Sequence, residues 1–550
     1  MRITLAQLNY QIGNFEENQQ KMLDAINKAL EQKSDLIIFS ELAVCGYPPR
    51  DFLEFNDFIE QCMAVVNTLA LASTNIGILV GAPTRNPNIE GKDLYNSAYY
   101  LYEGKIQKIL HKALLPTYDV FDEYRYFEPA KDFDIIHHKG YKIAITICED
   151  MWNVGNNNPM YTICPTDEVM VQHPQLLINL SASPFHYKHA AERIEVAKAN
   201  VARYKIPLFY CNQTGAQTEL IFDGGSLVLN ALGAVYDEMP FFVECVRTYQ
   251  LTDILAGLYT EHALGEEYKE PAAMIYEALL CGIKDYFNKS GLSKATLGLS
   301  GGIDSVLTTV LATHALGADN VHPILMPSQY SSEHSISDSE LLCHNLGLQY
   351  SIIPIKEIYD KYITTLLPTF GEKAEDLTEE NLQARIRANI LMAYCNKMRY
   401  ILLNTTNKSE AAVGYGTLYG DMCGGLGILG DVYKTQIYDI ARYINRTNEI
   451  IPINCIHKAP SAELRPGQKD SDSLPEYSVL DKVLYQYIEM RQGPKEIIAM
   501  GFDDKLVHRV LKMVNSAEHK RHQTPPILRV SPKAFGSGRR MPIVAKYLMT

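Results

Sequence analysis

A loop rich in small residues stands between an apolar run and a helical pattern in the stretch LGLSGGIDSVL. Glycines such as Gly301 and Gly302 let the backbone approach a bound group closely. At the end of a strand and the start of a helix, such a loop presents backbone N–H groups to an anion. Ser300 and Ser305 can add hydroxyl donors. Asp304 would repel a bare phosphate, so its presence indicates a metal ion between them. The pattern favours a nucleotide-phosphate site, and a tight turn with a capping serine or aspartate is the alternative.

The string S-G-G-x-D-S resembles the pyrophosphate loop of the N-type ATP pyrophosphatases. Members of this group adenylate a carbonyl oxygen, release pyrophosphate and let a nitrogen or sulfur nucleophile displace AMP. The segments MPSQYSSEHSISDSE, ENLQARIRANILM, LLNTTNKSEAAVGYGTLYGDMCGG, KAPSAELRPGQKDSDSLP and EHKRHQTPP follow it. Together, from about residue 290 to residue 526, they resemble the synthetase domain of the NAD synthetase family.

That resemblance implies a ligand for each of several side chains. Asp304 and Glu410 would hold Mg²⁺ on the phosphates of the co-substrate ATP, while Lys434 and Lys520 offset phosphate charge and Thr406 lies against ATP. The residues assigned to ATP are Ser300, Gly301, Gly302, Asp304, Ser305, Thr406 and Lys434. The residues assigned to deamido-NAD are Arg387, Glu410, Asp421, Lys434 and Lys520, with Arg385 as a weaker candidate. Taken singly, each has a structural alternative, such as a solvated helix charge or a turn carboxylate.

A synthetase of this kind consumes ammonia, which is scarce at neutral pH, so a glutamine-hydrolysing companion domain is plausible. One glutaminase design needs an N-terminal cysteine, but Arg2 follows Met1, and a second needs a G-x-C-x-G elbow, which does not occur. The third uses Glu, Lys and Cys in that chain order. Glu41 follows DLIIFS, Lys112 follows KIQKILH, and Cys148 closes KIAITIC. We therefore predict this third type of catalytic triad.

The chemistry assigns each member of this triad a role. A thiol is a poor nucleophile until a base or a cation activates it. Glu41 would take the proton of Cys148 and later pass it to the leaving ammonia. Lys112 and the backbone N–H of Glu149 would stabilise the tetrahedral oxyanion. The alternative for Cys148 is an inert core cysteine, which is our interpretation of most of the 11 cysteines.

Residues 1 to about 240 resemble the nitrilase, or carbon–nitrogen hydrolase, superfamily, and specifically the amidase half of glutamine-dependent members of the NAD synthetase family. The resemblance places five residues at the glutamine pocket: Tyr118, Glu123, Glu149, Ser183 and His189. The family often carries a basic residue about six positions after this serine. Lys188 and His189 compete for that place, and we leave the Arg539–Arg540 pair near the C-terminus unassigned.

The elements that must position these residues follow from the apolar patterns. The first half interleaves short apolar strands and helices, with a hairpin at Glu103-Gly104, and predicts an α-β-β-α nitrilase-like sandwich. The second half alternates strand and helix, which predicts a doubly wound parallel sheet, similar to the adenine nucleotide alpha hydrolases. We predict an amidase domain over 1–250, a linker over 251–274 and a synthetase domain over 275–550.

Length and composition are consistent with such an enzyme. A chain of 550 residues predicts at least two domains, and a net charge of −13 disfavours nucleic acid as a partner. The absence of C-x-x-C pairs, of a signal-peptide pattern and of an apolar run near the ~20 residues of a membrane span predicts a cytoplasmic protein without membrane contact. The resemblance also implies a homo-oligomer, at least a dimer through the synthetase domain.

The resulting prediction is a carbon–nitrogen ligase that converts deamido-NAD, ATP and glutamine, or ammonia, into NAD, AMP and pyrophosphate, with glutamate formed from glutamine. Another glutamine-dependent amidotransferase of the ATP pyrophosphatase group is the first alternative. A catalytically silent nucleotide-binding regulatory protein is the second, and an amidase with a nucleotide-sensing domain is the third.

Overall fold

The computed structural model describes residues 1–158, 160–257, 270–371, 373–374 and 376–548. The chain divides into two compact units, Met1–Tyr268 and Lys269–Thr550. Within the predicted linker, Leu251–Leu255 and the segment from Pro271 onward are helical, and residues 258–269 lie outside the described residues. Among the helices that the structure describes, none has the length and apolar character needed to cross a membrane.

The first unit is built from short strands and five helices within its described residues. Its strands are β1 (Arg2–Gln7), β2 (Leu36–Ile38), β3 (Gly77–Arg85), β4 (Leu94–Tyr102), β5 (Lys105–His111), β6 (Ile135–His138), β7 (Tyr141–Ile147), β8 (Leu176–Leu180), β9 (Leu208–Cys211), β10 (Thr214–Gln217), β11 (Leu220–Asp223), β12 (Leu227–Leu229), β13 (Val235–Glu238) and β14 (Cys245–Gln250). Its helices are α1 (Phe15–Glu31), α2 (Asn56–Ala72), α3 (Pro165–Met170), α4 (His189–Tyr204) and α5 (Leu251–Leu255).

Two six-stranded sheets carry this unit, in the orders β14-β1-β2-β3-β4-β5 and β13-β12-β9-β8-β7-β6. Leu36 and Ile38 of β2 share one apolar cluster with Ile143 and Ile145 of β7, so the core lies between the sheets. Ile37 belongs to a second cluster with α1 and α2, because successive side chains of a strand point to opposite faces. Helices α3 and α4 cover the second sheet through a further cluster. The prediction of α-β-β-α layering is confirmed.

The second unit contains a parallel sheet surrounded by helices. Its strands are β15 (Ala295–Gly298), β16 (Val321–Leu325), β17 (Ser351–Ile352), β18 (Ile401–Asn404) and β19 (Leu426–Gly427). Its helices are α6 (Pro271–Lys289), α7 (Ile303–Leu316), α8 (Glu333–Leu346), α9 (Lys356–Phe370), α10 (Leu377–Met398), α11 (Lys408–Val413), α12 (Lys434–Ile444), α13 (Ile453–His457), α14 (Tyr477–Ile488), α15 (Pro494–Ala499), α16 (Asp504–Ser516) and α17 (Glu518–Arg521).

The strand order of this sheet, β17-β16-β15-β18-β19, confirms the predicted doubly wound arrangement. From β15 the chain runs outward through β16 and β17, then returns to the other side of β15 with β18 and β19, and all pairs are parallel. The order therefore reverses between β15 and β18. In open parallel sheets, ligands bind in the crevice at the carboxyl ends of the strands beside such a reversal. The glycine loop lies at that place, between the end of β15 and the start of α7.

Buried ion pairs join parts of the second unit that are far apart in the chain. The ammonium of Lys408, fully buried, lies 2.9 Å from Asp431 and 2.9 Å from Glu489. Arg539 Nη1 lies 3.0 Å from Glu518 Oε2, and both side chains are nearly buried. Arg539 therefore has a structural role, because a charge taken out of water needs a partner.

Candidate active sites

Three buried charged side chains meet at the strand ends of the first unit. Glu41 follows β2 and Lys112 follows β5, so both leave their strands at the same edge of the first sheet. Lys112 Nζ lies 2.7 Å from Glu41 Oε1 and 2.8 Å from each carboxylate oxygen of Glu123. Glu41 and Lys112 are fully buried, and Glu123 is nearly so. The ammonium thus stands between two carboxylates in a space that excludes water.

Two further side chains, which the sequence analysis missed, complete the hydrogen bonding of these carboxylates. Asn96 Nδ2 donates to Glu41 Oε1 at 2.7 Å, and the hydroxyl of Tyr47 donates to Glu123 Oε1 at 2.8 Å. The backbone N–H of Ala182 donates to Glu41 Oε2 at 3.1 Å. The one available signal for Asn96 was an amide inside the largely buried strand β4, next to Ser97.

Cys148 lies where β7 ends, at the first residue of a 3₁₀ turn, Cys148–Met151. Its φ is +43°, in the left-handed region that residues other than glycine seldom adopt. Such strain persists only where surrounding contacts enforce it, and it is concentrated at functional sites. Asn179 Nδ2, from the neighbouring strand β8, donates to the Cys148 carbonyl at 3.3 Å. The turn bends the chain sharply at the cysteine.

The carboxylate of Asp150 ties the Cys148 turn to the segment that carries Lys112. One oxygen accepts from the backbone N–H groups of Ala113 and Leu114, at 3.0 and 2.8 Å. The other oxygen accepts from the backbone N–H of Ile147 at 3.0 Å. Because Asp150 is buried, losing these bonds would leave three polar groups unpaired. Asp150 therefore fixes the backbone on both sides of the site.

The electrostatics of the cluster keep the thiol protonated and the ammonium charged. Burial, together with the charge of Glu41, raises the pKa of Cys148 well above its ordinary value, although Lys112 opposes the rise. Burial alone would lower the pKa of Lys112, but Glu123 and Glu41 outweigh it and raise that pKa. Burial raises the pKa of Glu123 to about 7 against the influence of Lys112. A neutral thiol at this place needs a base during attack, and Glu41 is the carboxylate whose charge acts most strongly on the thiol.

A group of polar side chains extends beyond Cys148. Both Tyr118 and Tyr161 donate hydroxyl hydrogen bonds to the Glu149 carboxylate, at 3.0 and 2.7 Å to Oε1. Burial raises the pKa of Glu149, although these bonds oppose the rise. The sequence analysis missed Tyr161, which lies in an irregular segment without a recognisable motif. This carboxylate, framed by two phenols, fits an ammonium group.

Ser183 and His189 are neighbours in this region, whereas Lys188 is directed elsewhere. Ser183 Oγ lies 2.6 Å from His189 Nε2, and the Ser183 N–H donates to Asn212 Oδ1 at 2.9 Å. The His189 ring stacks on Trp152 at a centroid distance of 5.3 Å. The ammonium of Lys188 lies over the ring of Tyr187. The contacts thus favour His189 over Lys188 as the basic partner of Ser183.

In the second unit, the glycine loop folds back onto helix α8. Gly301 has φ +77°, and a Cβ there would lie 2.5 Å from the Ser335 carbonyl oxygen. Gly302 has an ordinary extended backbone, with φ −76° and ψ 149°. Ser305 Oγ accepts from the Ser300 N–H at 3.2 Å and donates to the Gly302 carbonyl at 2.9 Å. These bonds shape the loop at the start of α7.

Next to the loop, two carboxylates share one buried ammonium. Lys434 Nζ lies 2.5 Å from Asp304 Oδ2 and 3.5 Å from Glu410 Oε1. Asn407 Nδ2 donates to the other Asp304 oxygen at 2.8 Å, and Asn407 and Glu410 cap the start of α11 reciprocally. Burial raises the pKa of Glu410 to about 8, and the charge of Asp304 adds to the rise. A further carboxylate, Asp470, lines the same cavity.

This set of oxygen donors fits a hard divalent cation. Mg²⁺ is bound in nucleotide sites by one or two carboxylates together with substrate phosphates. Asp304 and Glu410 offer those carboxylates beside the loop, and burial together with the charge of Asp304 raises the pKa of Glu410 more than Lys434 lowers it. A cation and a phosphate together would balance the charge of this cluster.

A cavity of about 290 Å³ opens along the carboxyl ends of the strands beside the loop. The sequence-predicted residues that line it are Ser300, Gly301, Gly302, Asp304, Ser305, Arg387, Thr406, Glu410, Asp421 and Lys434. Burial lowers the pKa of Arg387 to about 10, and its Nε donates to the Met326 carbonyl at 3.1 Å. Residues so far apart in the chain converge because β15, β16 and β18 are neighbours in the sheet.

Two of the predicted basic residues do not line this cavity, and one ion pair that was not predicted does. Lys520 Nζ donates to the carbonyls of Gly414 and Gly416, both at 2.7 Å, and is absent from the lining of this cavity. Arg385 is also absent from this lining, and its Nε donates to the Leu418 carbonyl at 3.3 Å. The sequence analysis missed Lys458 and Glu463, which line the cavity and lie 2.8 Å apart. Their signal was the polar segment after α13, rich in Ser and Pro.

Fold and site together define the class of protein. An α-β-β-α sandwich with a cysteine, a lysine and a glutamate at its strand ends is typical of carbon–nitrogen hydrolases, and a parallel sheet with this glycine loop at its reversal point is typical of nucleotide-dependent synthetases. Family models agree with both halves. The model of carbon–nitrogen hydrolases matches residues 2–254, and the model named NAD synthase matches residues 275–524.

Relatives extend this agreement over the full length of the chain. The chain is 44% identical to the glutamine-dependent NAD(+) synthetase of Synechocystis sp. over 99% of both proteins. It is 40% identical to that of Thermotoga maritima, covering 100% of this chain and 99% of the relative. The solved glutamine-dependent NAD+ synthetase of Acinetobacter baumannii, in complex with ADP, is 35% identical, covers 99% of this chain and 98% of its own, and has a TM-score of 0.78. The chain therefore belongs to the family of glutamine-dependent NAD(+) synthetases, ligases that form a carbon–nitrogen bond.

Proposed function

We propose that the chain hydrolyses glutamine at Cys148 and uses ammonia to amidate adenylated deamido-NAD in the second unit. The observation that carries the proposal is that each unit holds a cluster of buried charged side chains beside a candidate reaction site. In the first unit, Lys112 is bonded to Glu41 beside the strained turn of Cys148. In the second, Asp304 and Lys434 stand beside a glycine loop at the reversal point of a parallel sheet.

The first unit would act through a covalent thioester. Glu41 takes the thiol proton as Cys148 Sγ attacks the side-chain amide carbon of glutamine. Lys112 Nζ and the backbone N–H of Glu149 stabilise the oxyanion. The tetrahedral species collapses, the C–N bond breaks, and Glu41 gives its proton to the leaving ammonia. Water then attacks the thioester with Glu41 as base, which releases glutamate and restores the thiol.

Recognition of glutamine would use the polar groups beyond Cys148. The Glu149 carboxylate, held by Tyr118 and Tyr161, is placed to accept the α-ammonium. Ser183 and His189, 2.6 Å apart, would bind the α-carboxylate, because a hydroxyl and a protonated imidazole are both donors. These contacts would distinguish a free amino acid from a simple amide, which carries neither terminal charge.

The second unit would bind ATP with its phosphates against the loop. The backbone N–H groups at Gly302 and at the start of α7 would contact the phosphates, and Lys434 would offset their charge. Asp304 and Glu410 would hold Mg²⁺, which supplies charge neutralisation for the leaving pyrophosphate. The carboxylate of deamido-NAD attacks the α-phosphorus, pyrophosphate leaves, ammonia attacks the resulting acyl-adenylate carbonyl, and AMP departs.

The remaining assignments are also part of this proposal. Thr406 lies in the cavity wall, where it would contact ATP, and Arg387 and Asp421 would contact deamido-NAD. Burial lowers the pKa of Lys520, the charge of Asp421 opposes this change, and Lys520 would reach the dinucleotide from outside the cavity. We further propose a homo-oligomer, at least a dimer through the second unit, in the cytoplasm.

The experiment compares two nitrogen sources in the Cys148→Ala variant. Glutamine-driven NAD formation should be lost, because water cannot replace the covalent route, whereas NAD formation with high ammonium at mildly alkaline pH should persist. Cys45→Ala is the matched control, because Cys45 is a fully buried cysteine of the same unit whose thiol donates to the Leu42 carbonyl. That variant should keep the glutamine-driven rate.

Two outcomes would contradict the proposal. Glutamine-driven synthesis that survives in Cys148→Ala would remove Cys148 from the mechanism. Absence of AMP release from deamido-NAD, ATP and ammonium in the folded wild-type chain would contradict the synthetase assignment and favour a regulatory protein that binds nucleotide without turnover.

A further inference from the structure

Three metal-ligating side chains converge at the start of α4, apart from the Cys148 cluster. Glu192 Oε2 lies 3.4 Å from His186 Nε2 and 3.5 Å from His189 Nδ1. One ligand atom from each of the three residues lies within 4.8 Å of the others. His186 lies just before α4, whereas His189 and Glu192 lie three residues apart in its first turn and therefore on the same side of the helix. The carboxylate oxygen thus contacts both imidazoles at once.

We propose that His186, His189 and Glu192 form a zinc-binding site. Zinc binds His nitrogen and carboxylate oxygen at about 2.0–2.2 Å in a tetrahedral arrangement, so neighbouring ligand atoms stand about 3.3–3.5 Å apart. The two distances from Glu192 Oε2 match that spacing. Two His and one carboxylate are also the ligand set of zinc sites that keep the fourth position open.

The surroundings of His189 supply an independent argument. A metal-ligating histidine usually donates its other ring N–H to an oxygen, which fixes the tautomer and the ring orientation. Here His189 Nε2 lies 2.6 Å from Ser183 Oγ, and the ring stacks on Trp152 with an interplanar angle of 8°. With the proton on Nε2, the Nδ1 lone pair is directed toward Glu192.

The same side chains show how a zinc ion would reach the site and which contact its binding would break. The side chains of His186 and His189 are 11% and 13% exposed, whereas Glu192 is 52% exposed, so an ion enters from the carboxylate side. The Lys188 N–H lies 3.4 Å from His186 Nδ1. Coordination through Nε2 moves the ring proton to Nδ1 and gives up this long contact, a small cost beside a metal bond.

The site has a consequence for catalysis that rests on the proposed function. His189 belongs both to the zinc site and to the pair that would bind the glutamine carboxylate. Zinc holds the imidazole in its neutral, coordinated form and occupies the space on its Nδ1 side. The ion should therefore inhibit the glutamine-driven reaction and leave the ammonium-driven reaction unchanged, because the latter does not use the first unit's pocket.

Zinc binding is tested first, without any activity readout. The full-length Cys148→Ala chain is titrated with Zn²⁺ by calorimetry. The substitution removes the Cys148 thiol, which could bind zinc in competition with the proposed site. One tight equivalent should bind, and adding Glu192→Gln or His186→Gln should weaken it by on the order of tenfold or more. His137→Gln, which changes an exposed histidine on β6, is the control and should bind as before. Unchanged affinity in both ligand variants, or no tight equivalent, overturns the site.

Inhibition is tested second, in chains that keep Cys148. Zinc should inhibit glutamine-driven but not ammonium-driven NAD formation, and Glu192→Gln should show the wild-type zinc-free rate with at least tenfold lower zinc sensitivity. Equal zinc sensitivity in Glu192→Gln would place the inhibiting ion on Cys148 and overturn the regulatory role. A chain that binds zinc at this site but makes no NAD from either nitrogen source would contradict the proposed function instead.

Discussion

Alanine substitutions at the two adjacent glycines of the loop should have different consequences. Gly301 has φ +77°, and a Cβ would lie 2.5 Å from the Ser335 carbonyl oxygen and 2.9 Å from its Cα. At Gly302 the backbone is ordinary, and the nearest atom to a Cβ is Ser300 Oγ at 3.4 Å, an ordinary contact. Gly301→Ala should therefore distort the loop, whereas Gly302→Ala should fold normally and affect only what binds there.

The magnitudes follow from these contacts. Left-handed backbone costs alanine about 1–2 kcal/mol, and an overpacked methyl costs about 1–3 kcal/mol more, so Gly301→Ala should destabilise the loop by roughly 2–5 kcal/mol. Gly302→Ala should be neutral or stabilising by up to about 1 kcal/mol. If phosphate binds against Gly302, the methyl displaces one charge-assisted hydrogen bond of about 1.5–3 kcal/mol. The KM for ATP should then rise roughly tenfold to a hundredfold.

Two measurements separate a loss of loop stability from a loss of ATP binding. Hydrogen–deuterium exchange across residues 295–316 reports the local free energy of opening, and ammonium-driven AMP release reports the KM for ATP. Gly317→Ala is the control, because Gly317 ends the same helix with φ +86° and no atom within 4 Å of a Cβ. It should lose local stability without a change in KM. A wild-type KM for ATP in Gly302→Ala would refute the phosphate cradle, and wild-type exchange in Gly301→Ala would refute the steric argument.

Three further changes have distinct expected outcomes. Glu410→Ala should abolish AMP release yet leave glutamine hydrolysis measurable as glutamate, because its carboxylate lies in the second unit; near wild-type NAD formation would contradict a metal role. Asp150→Asn replaces one of the two acceptor oxygens by an NH2 donor that faces at least one backbone N–H, and should lower kcat for glutamine about a hundredfold while sparing the ammonium-driven rate. Burial raises the pKa of Glu123 to about 7, above its ordinary 4.5. The folded state therefore keeps a proton that the unfolded state releases, and this residue's stability contribution is lost as pH rises through about 7. The free energy of unfolding of Glu123→Gln, measured in urea at pH 5, 7 and 8, should not show that loss. The same pH dependence as in the wild-type chain would contradict this role of Glu123.

Features that depend on neighbouring residues could be predicted from the amino-acid sequence. Alternation of apolar residues identified the strands, and the layering of the first unit and the doubly wound sheet of the second are confirmed. The hairpin predicted at Glu103-Gly104 is also confirmed, since both residues have positive φ between β4 and β5. A turn, a strand or a helix start depends on a few consecutive residues, so local composition is sufficient to predict it.

The candidate sites were predictable where a motif carries the chemistry. The S-G-G-x-D-S string marks its own place at a strand end, and Glu41, Lys112 and Cys148 each follow or close an apolar strand. The structure brings Glu41 and Lys112 into contact, and the charges of both act on the pKa of Cys148. Their catalytic roles remain predictions until the variants are measured.

Which distant side chains share a site depends on the tertiary structure. Asn96 and Tyr47 join the Lys112 cluster because strand order and hairpin register bring separate loops to one sheet edge. The same convergence brings Lys458 into the nucleotide cavity and leaves Lys520 bonded to backbone carbonyls outside it. The physical reason is that burial, ion pairing and pKa depend on atoms far apart in the chain, and no local pattern records their distances.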